Sequence, residues 1–228
     1  MYRSKVLRNR VNNLQNRTTQ QQQPTLTPNF VVSNRKKVEH ILFMIGSNYL
    51  GTEQKVNNCY LSMLNFQKVL QSKVNYDHTF IHTDCDSSVL GGKASDIKDT
   101  LAKIVDVTGN LTVRYVIHFY FCGLGSNGIV TSDLSFISFI DFNTLFLSQL
   151  KSNTTVVGIV DAVGNDALLK TNTDANVVQL SSPFQTLGLF TSKLLENLEP
   201  GVSMRSLSTS AGTSLFCSNF DLQNLTFF

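Results

Sequence analysis

The sequence predicts an α/β fold, a mainly parallel sheet of about six strands with helices on both faces. Three observations predict it. Along residues 37–228, short runs rich in β-branched and aromatic residues alternate with stretches of helical period. Those runs are apolar on both faces, as strands covered by two helix layers must be. The β-α order also repeats, and repeated crossovers of that kind build parallel sheets.

Each element has its own signal. Val38–Ile45 is an apolar strand that stops at Gly46. Thr52–Gln71 reads as a helix, with Val56, Tyr60, Met63, Leu64, Phe66, Val69 and Leu70 at helical spacing. Phe80–His82 is a short strand running into 83-TDCD-86. Ser95–Val107 reads as a helix with Ser95 as N-cap, Asp96 in the first turn, and Ile97, Leu101, Ile104 and Val105 on one side. Val113–Phe121 is the strongest strand; it is apolar apart from Arg114, His118 and the tyrosine hydroxyls, which predicts a central position. Phe142–Leu150 follows as a helix, then the strands Thr155–Val160 and Asn176–Leu180. Thr186–Leu198 is an amphipathic helix stopped by Pro200-Gly201. A short helix near Ser203–Ser208 and a last strand near Ser214–Ser218 close the fold. No internal repeat is visible.

Composition separates an arm from a body. The 228 residues are 42% hydrophobic and 15% charged, enough apolar material for a core. Of the 19 Lys and Arg, eight fall in residues 1–38, where there is no Asp or Glu, so this segment carries +8; all 16 acids lie beyond it, and the rest carries −5. Residues 1–36 also hold 20-QQQQ-23 and no sustained apolar period, which predicts a flexible basic arm ahead of a folded domain at 37–228. Arg3, Lys5, Arg8, Arg10 and Arg17 are its partner-binding candidates. Nucleic acid, an acidic membrane surface and an acidic protein all suit such a charge. The scarcity of aromatics there, Tyr2 and Phe30, argues against stacking on single strands.

No apolar run is long enough to span a membrane. The N-terminus lacks the apolar core of a secretory signal. The four cysteines, Cys59, Cys85, Cys122 and Cys217, are widely spaced without a CxxC pair. A reducing, cytoplasmic compartment is therefore expected. High Asn and Phe content suggests an AT-rich genome, that of a virus or a protist, which adds a virion to the candidate locations.

In open parallel sheets, function sits beyond the carboxyl ends of the strands. The run 123-GLGSNG-128 matches the dinucleotide fingerprint G-x-G-x-x-G after a strand, with Asp141 at 18 residues from Gly123. The fingerprint needs a helix starting within it. The β-branched, Ser-rich stretch 129-IVTSDLSFISFID-141 has no helical period, so nucleotide binding is the lesser alternative and no cofactor is expected. His78, His82, Cys85, Asp84 and Asp86 form the densest group of metal-ligand types, but no second cysteine pair completes a zinc set. Cys122 and His118 lie on one face of one strand, about 13 Å apart, too far for a dyad.

Four stretches together resemble the metacaspases and other caspase-type peptidases, over roughly residues 38–210. They are 40-HILFMIGSNYLG-51 leading into 57-NNCYLSM-63, then 115-YVIHFYFCGLGSNG-128, 156-VVGIVDAVGND-166 and 188-GLFTSKLLENL-198. The resemblance implies a caspase-like three-layer sandwich. It puts the family's general-base histidine on Leu124, between Gly123 and Gly125, and its nucleophilic cysteine on Val163, two residues after Asp161. Ala162, Gly164, Asn165 and Asp166 also depart from the family's pattern. Leucine accepts no proton and valine offers no nucleophile, so the resemblance implies an inactive pseudo-peptidase that works by binding a protein partner. It also implies that Asp161 and Asp133 line a groove for a basic side chain. An acid at a strand end can equally serve loop amides. The rival reading is an assembly protein, such as a virion component, that uses the basic arm.

Overall fold

The computed structural model describes residues 36–125, 127–163, 173–184, 186–218 and 220–227. In chain order its elements are β1 (Val38–Gly46), α1 (Cys59–Lys73), β2 (His78–Thr83), β3 (Leu90–Gly91), α2 (Ala94–Thr108), β4 (Arg114–Leu124), β5 (Gly128–Val130), β6 (Phe136–Ser138), α3 (Phe139–Leu145), β7 (Thr154–Val163), β8 (Asn176–Ser181), α4 (Leu189–Glu196), α5 (Met204–Ala211) and β9 (Ser214–Cys217). The candidate arm residues Arg3, Lys5, Arg8, Arg10 and Arg17 lie outside the described residues.

Seven strands form one sheet in the order β3-β2-β1-β4-β7-β8-β9, parallel except for the β8–β9 pair. β5 and β6 form a separate antiparallel hairpin. Side chains alternate across the sheet with period two. Ile41, Phe43 and Ile45 of β1 and Ile117, Phe119 and Phe121 of β4 meet α2 and α3 through Ile97, Leu101, Ile104 and Phe142. Leu42 and Met44 of β1 and Tyr120 and Cys122 of β4 meet α1, α4 and α5 through Met63, Phe66, Phe190, Leu194 and Leu207. This is the three-layer α/β arrangement that the uninterrupted apolar strands predict.

Several boundaries differ from the sequence expectation, each for a physical reason. The helix expected from Thr52 starts only at Cys59. Asn58 adopts a left-handed backbone (φ 77°), and the Asn48 side chain instead caps the helix by accepting from Tyr60 N–H at 3.1 Å. Ser95 is not an N-cap; it lies inside α2, whose N-cap is Lys93. The helix expected at Phe142–Leu150 begins earlier, at Phe139, because Ser138 accepts from Asp141 N–H as its N-cap. β4 and β7 run on to Leu124 and Val163, past their expected ends. β3, only two residues long, makes the sheet seven-stranded.

At its far edge, the helix layer of α1, α4 and α5 is closed by residues 220–227. Met204 N–H donates to Leu225 O, and Phe227 N–H donates to Val202 O. The Phe227 ring, 2% exposed, packs on Phe66 and on His118 of β4. His118 Nε2 lies 3.3 Å from the Phe227 carbonyl, which can only accept, so this nitrogen carries the proton; Nδ1 then accepts from the Tyr76 hydroxyl at 3.0 Å. The neutral ring is thus satisfied at both nitrogens.

Burial, with the stacked His40 ring adding to it, pushes the His118 imidazole down from 6.5 to about 4. Between those values the unfolded chain binds the proton and the folded chain does not, so stability falls as pH falls from about 6.5 to about 4. The full effect is up to about 3 kcal/mol. Urea unfolding across this window should show a shallower pH slope for His118→Gln than for the wild type. Some slope should persist, because burial also lowers His82, which is held between Gly91 O and the Thr100 hydroxyl.

Candidate functional site

The carboxyl ends of β4 and β7 sit side by side at the centre of the sheet. Leu124 and Val163, the last residues of these strands, are register partners, as are Cys122 and Asp161. The two positions to which the sequence resemblance assigns base and nucleophile are therefore adjacent in space. Gly164, Asn165 and Asp166 lie outside the described residues.

Asp161 is 1% exposed. Its Oδ2 accepts from Gly188 N–H at 3.1 Å, Thr191 N–H at 2.9 Å and the Thr191 hydroxyl at 2.7 Å. Gly188 is the N-cap of α4 and has no side chain with which to cap it, so a carboxylate from the neighbouring strand does so and meets the positive end of the helix dipole. Burial pushes the Asp161 carboxyl up, against these hydrogen bonds. The acid expected to line a groove is thus engaged in holding α4 to β7.

Asp133 stands exposed in the turn between β5 and β6. Its Oδ1 accepts from the Thr131 hydroxyl and from Ser135 N–H. Burial works against its ionisation, but the hydrogen bonds from Thr131 and Ser135 outweigh it and hold the carboxyl below its ordinary value. Asp133 and Asp161 share no hydrogen-bond partner among the described residues.

Two further residues, Tyr49 and Asp84, shape the site in roles that sequence reasoning did not foresee. Tyr49, in the loop after β1, is fully buried and has a left-handed backbone (φ 55°). Its hydroxyl accepts from Leu124 N–H at 2.6 Å and donates to Val130 O at 3.0 Å, joining the end of β4 to the hairpin. A Cβ at Gly123 would stand 2.5 Å from that hydroxyl, so the contact requires glycine there. Asp84, beyond β2, accepts from Asn48 N–H at 2.8 Å and Leu50 N–H at 2.6 Å and fixes the loop that carries Tyr49. The sequence signals were the turn 46-GSNYLG-51 and the run 83-TDCD-86; bonds to partners 36 and 75 residues away leave no local pattern.

Among the described residues, chemistry at these tips is sparse. None of the four histidines reaches the ends of β4 and β7: His40 and His78 lie near the starts of β1 and β2, His118 is in the core, and His82 is bonded to Gly91 and Thr100. Burial raises the thiols of Cys85, Cys122 and Cys217, with contact from Cys59 the largest cause at Cys122. Raised thiols are poor nucleophiles. The run Gly123–Gly128 leads into the hairpin strand β5 and not into a helix, so it lacks the N-terminus that a pyrophosphate would meet. Among the described residues, no group of three or more His, Cys, Asp or Glu is arranged to hold a metal, and no helix is long and apolar enough to cross a membrane.

No family model matches the sequence, and no curated protein matches it. Solved structures do match. The structure of pro-sf-caspase-1 is similar with a TM-score of 0.52 and 12% identity, over 77% of this chain and 77% of that one. The fold is caspase-like. At this identity the likeness is one of backbone path, and what the caspase-like sheet carries at its tips must be read from this chain's own residues.

Two substitutions probe the tips. Asp161→Ala would leave the Gly188 and Thr191 donors unpaired in a buried place and should cost about 2–4 kcal/mol in chemical denaturation. Tyr49→Phe removes one hydroxyl from two backbone partners. It should cost about 1–3 kcal/mol and speed hydrogen exchange at the Leu124 amide selectively.

Proposed function

We propose that this chain is a degenerate relative of the metacaspases, a pseudo-peptidase that works by binding another protein. The observation that carries the reading is the register pair Leu124–Val163 at the centre of a caspase-like sheet. The resemblance assigns a proton acceptor and a thiol to these two positions, and the chain has two hydrocarbons. Thiolate attack needs both functions, so losing them together removes the reaction. Among the described residues, neighbouring groups supply no substitute: Cys122 is buried with a raised thiol, and Asp161 is bonded to α4. In this reading residues 37–228 are the binding domain, residues 1–36 are a basic arm, and the protein acts inside a reducing compartment as a regulator or decoy in a processing or cell-death pathway.

A second reading has its own observation. The +8 on residues 1–38, set against −5 elsewhere, suits an assembly protein that threads its arm onto an acidic surface or nucleic acid, as in a virion. Pull-downs with the full chain and with a chain starting at Lys37 separate the two. Partner capture that needs only the arm favours assembly, whereas capture by residues 37–228 alone favours the pseudo-peptidase.

The decisive assay is for turnover. Purified protein incubated with Arg- and Lys-containing peptide substrates should release no product above buffer. Cleavage that is abolished by a thiol-alkylating reagent would overturn the reading.

A further inference from the structure

His118 lies on the same face of β4 as Tyr120 and is 3% exposed. Three rings close it in. His40 of β1 stacks on it with centroids 6.3 Å apart, and the rings of Tyr76 and Phe227 each lie at 5.6 Å. In the neutral form both ring nitrogens are paired, Nδ1 with the Tyr76 hydroxyl and Nε2 with Phe227 O.

A proton added to this ring keeps its hydrogen bonds and still costs free energy. The Tyr76 oxygen can accept from a protonated Nδ1, and the charge strengthens the bond to Phe227 O. Burial outweighs that gain, and His40 acts in the same direction as burial. No acid compensates. β7 places Val157 opposite His118. Asp77, beside Tyr76, is exposed and accepts from His40 N–H at 2.9 Å. Asp221, at the start of the segment that ends in Phe227, is exposed too, and neither acid is among the groups that act on His118. The basic residues of the neighbouring helices, Lys73 in the last turn of α1 and Arg205 on α5, face solvent.

Water reaches a charged His118 only when one of its covers moves. β1, β4 and β7 are locked together by ladders of nine and ten pairs. Tyr76 stands between Val74 and Asp77, whose N–H groups are bonded to Leu70 O and His40 O. Residues 220–227 lie outside the sheet and are tied chiefly to residues 202–205. Met204 N–H donates to Leu225 O at 2.9 Å, Phe227 N–H donates to Val202 O at 3.2 Å, Ser203 bridges Thr226, and Arg205 bonds Gln223. Phe227 is therefore the cover that leaves at the lowest cost.

We propose that residues 220–227 are an acid-opened strap: protonation of His118 lifts Phe227 off β4 and off Phe66 of α1 while the sheet stays folded, and uncovers an apolar patch around Phe66. The sign follows from where the proton binds. Under the closed strap the imidazole is pushed down to about 4, whereas the hydrated ring of the open form keeps its ordinary 6.5. As pH falls between these values, the open form takes up a proton that the closed form refuses, so opening grows. From pH 7 to pH 5 the opening constant should rise about twentyfold. This holds whether or not the chain retains peptidase chemistry.

Amide hydrogen exchange of the full chain between pH 7 and pH 5, corrected for the intrinsic pH dependence of exchange, is the test. The Phe227 and Met204 amides report the strap, and the Ile117 amide of β4 reports the folded sheet. Opening at Phe227 and Met204 should rise about twentyfold towards acid and ignore low urea, while Ile117 stays far more protected. His118→Gln, whose side-chain amide can still donate to Phe227 O, should stay flat within about threefold. Equal opening at Phe227, Met204 and Ile117 with a shared urea dependence would overturn the proposal, because the motion would then be global unfolding. So would a wild-type rise below about threefold, or a rise in His118→Gln as large as in the wild type. The urea comparison uses the wild-type protein alone and decides the matter even where the variant does not fold.

Discussion

The constraint on which the structure depends is that β4 must be covered on both faces and paired along both edges. It pairs with β1 over nine residues and with β7 over ten. A strand in that position has no solvated side, so its side chains are Ile117, Phe119, Tyr120, Phe121 and Cys122, all buried. Each large apolar side chain removed from water contributes roughly 1.5–3 kcal/mol, so this one strand anchors both helix layers. Its neighbours yield to it. Gly46, opposite Cys122, has no side chain because a Cβ there would stand 2.9 Å from Met63 of α1, and that close approach lets the helix lie on the sheet.

The same centrality explains the character of the tips. Where buried strands end, the chain must leave the core, and every polar group in the exit needs a partner. Asp161 through Oδ2, Tyr49 and Asp84 meet much of that demand with bonds to backbone amides and carbonyls of loops distant in sequence. Among the described residues these groups serve the scaffold, and Leu124 and Val163 between them add hydrocarbon.

How far the sequence could be read follows from the range of each interaction. Uninterrupted apolar runs such as Val113–Phe121 and Thr155–Val160 are local signals, and they disclosed the parallel sheet and its central strand. The start of α1 was misread because Val56 and its neighbours keep helical spacing, while the cap that sets the true start comes from Asn48, twelve residues before Tyr60. β3 has only two residues and too little pattern to detect. At the site, positions 124 and 163 are singled out only by a resemblance carried on Gly123, Gly125 and Asp161; their pairing across β4 and β7 is what the structure adds. The duty of Asp161 was not legible, since its partners Gly188 and Thr191 lie 27 and 30 residues away. Sequence also suggested Ser95 as a cap by residue type alone, without the geometry that decides it.

Phe227 and His118 carry a practical lesson for handling the protein. Residues 220–227 act as a stopper, with one ring pressed on Phe66 and one carbonyl held by an imidazole. A purification handle or dye inserted beside Phe227 would tug on the inner packing of the α1 layer. The loop at Leu111, exposed and outside every helix and strand, is the gentler place to attach one.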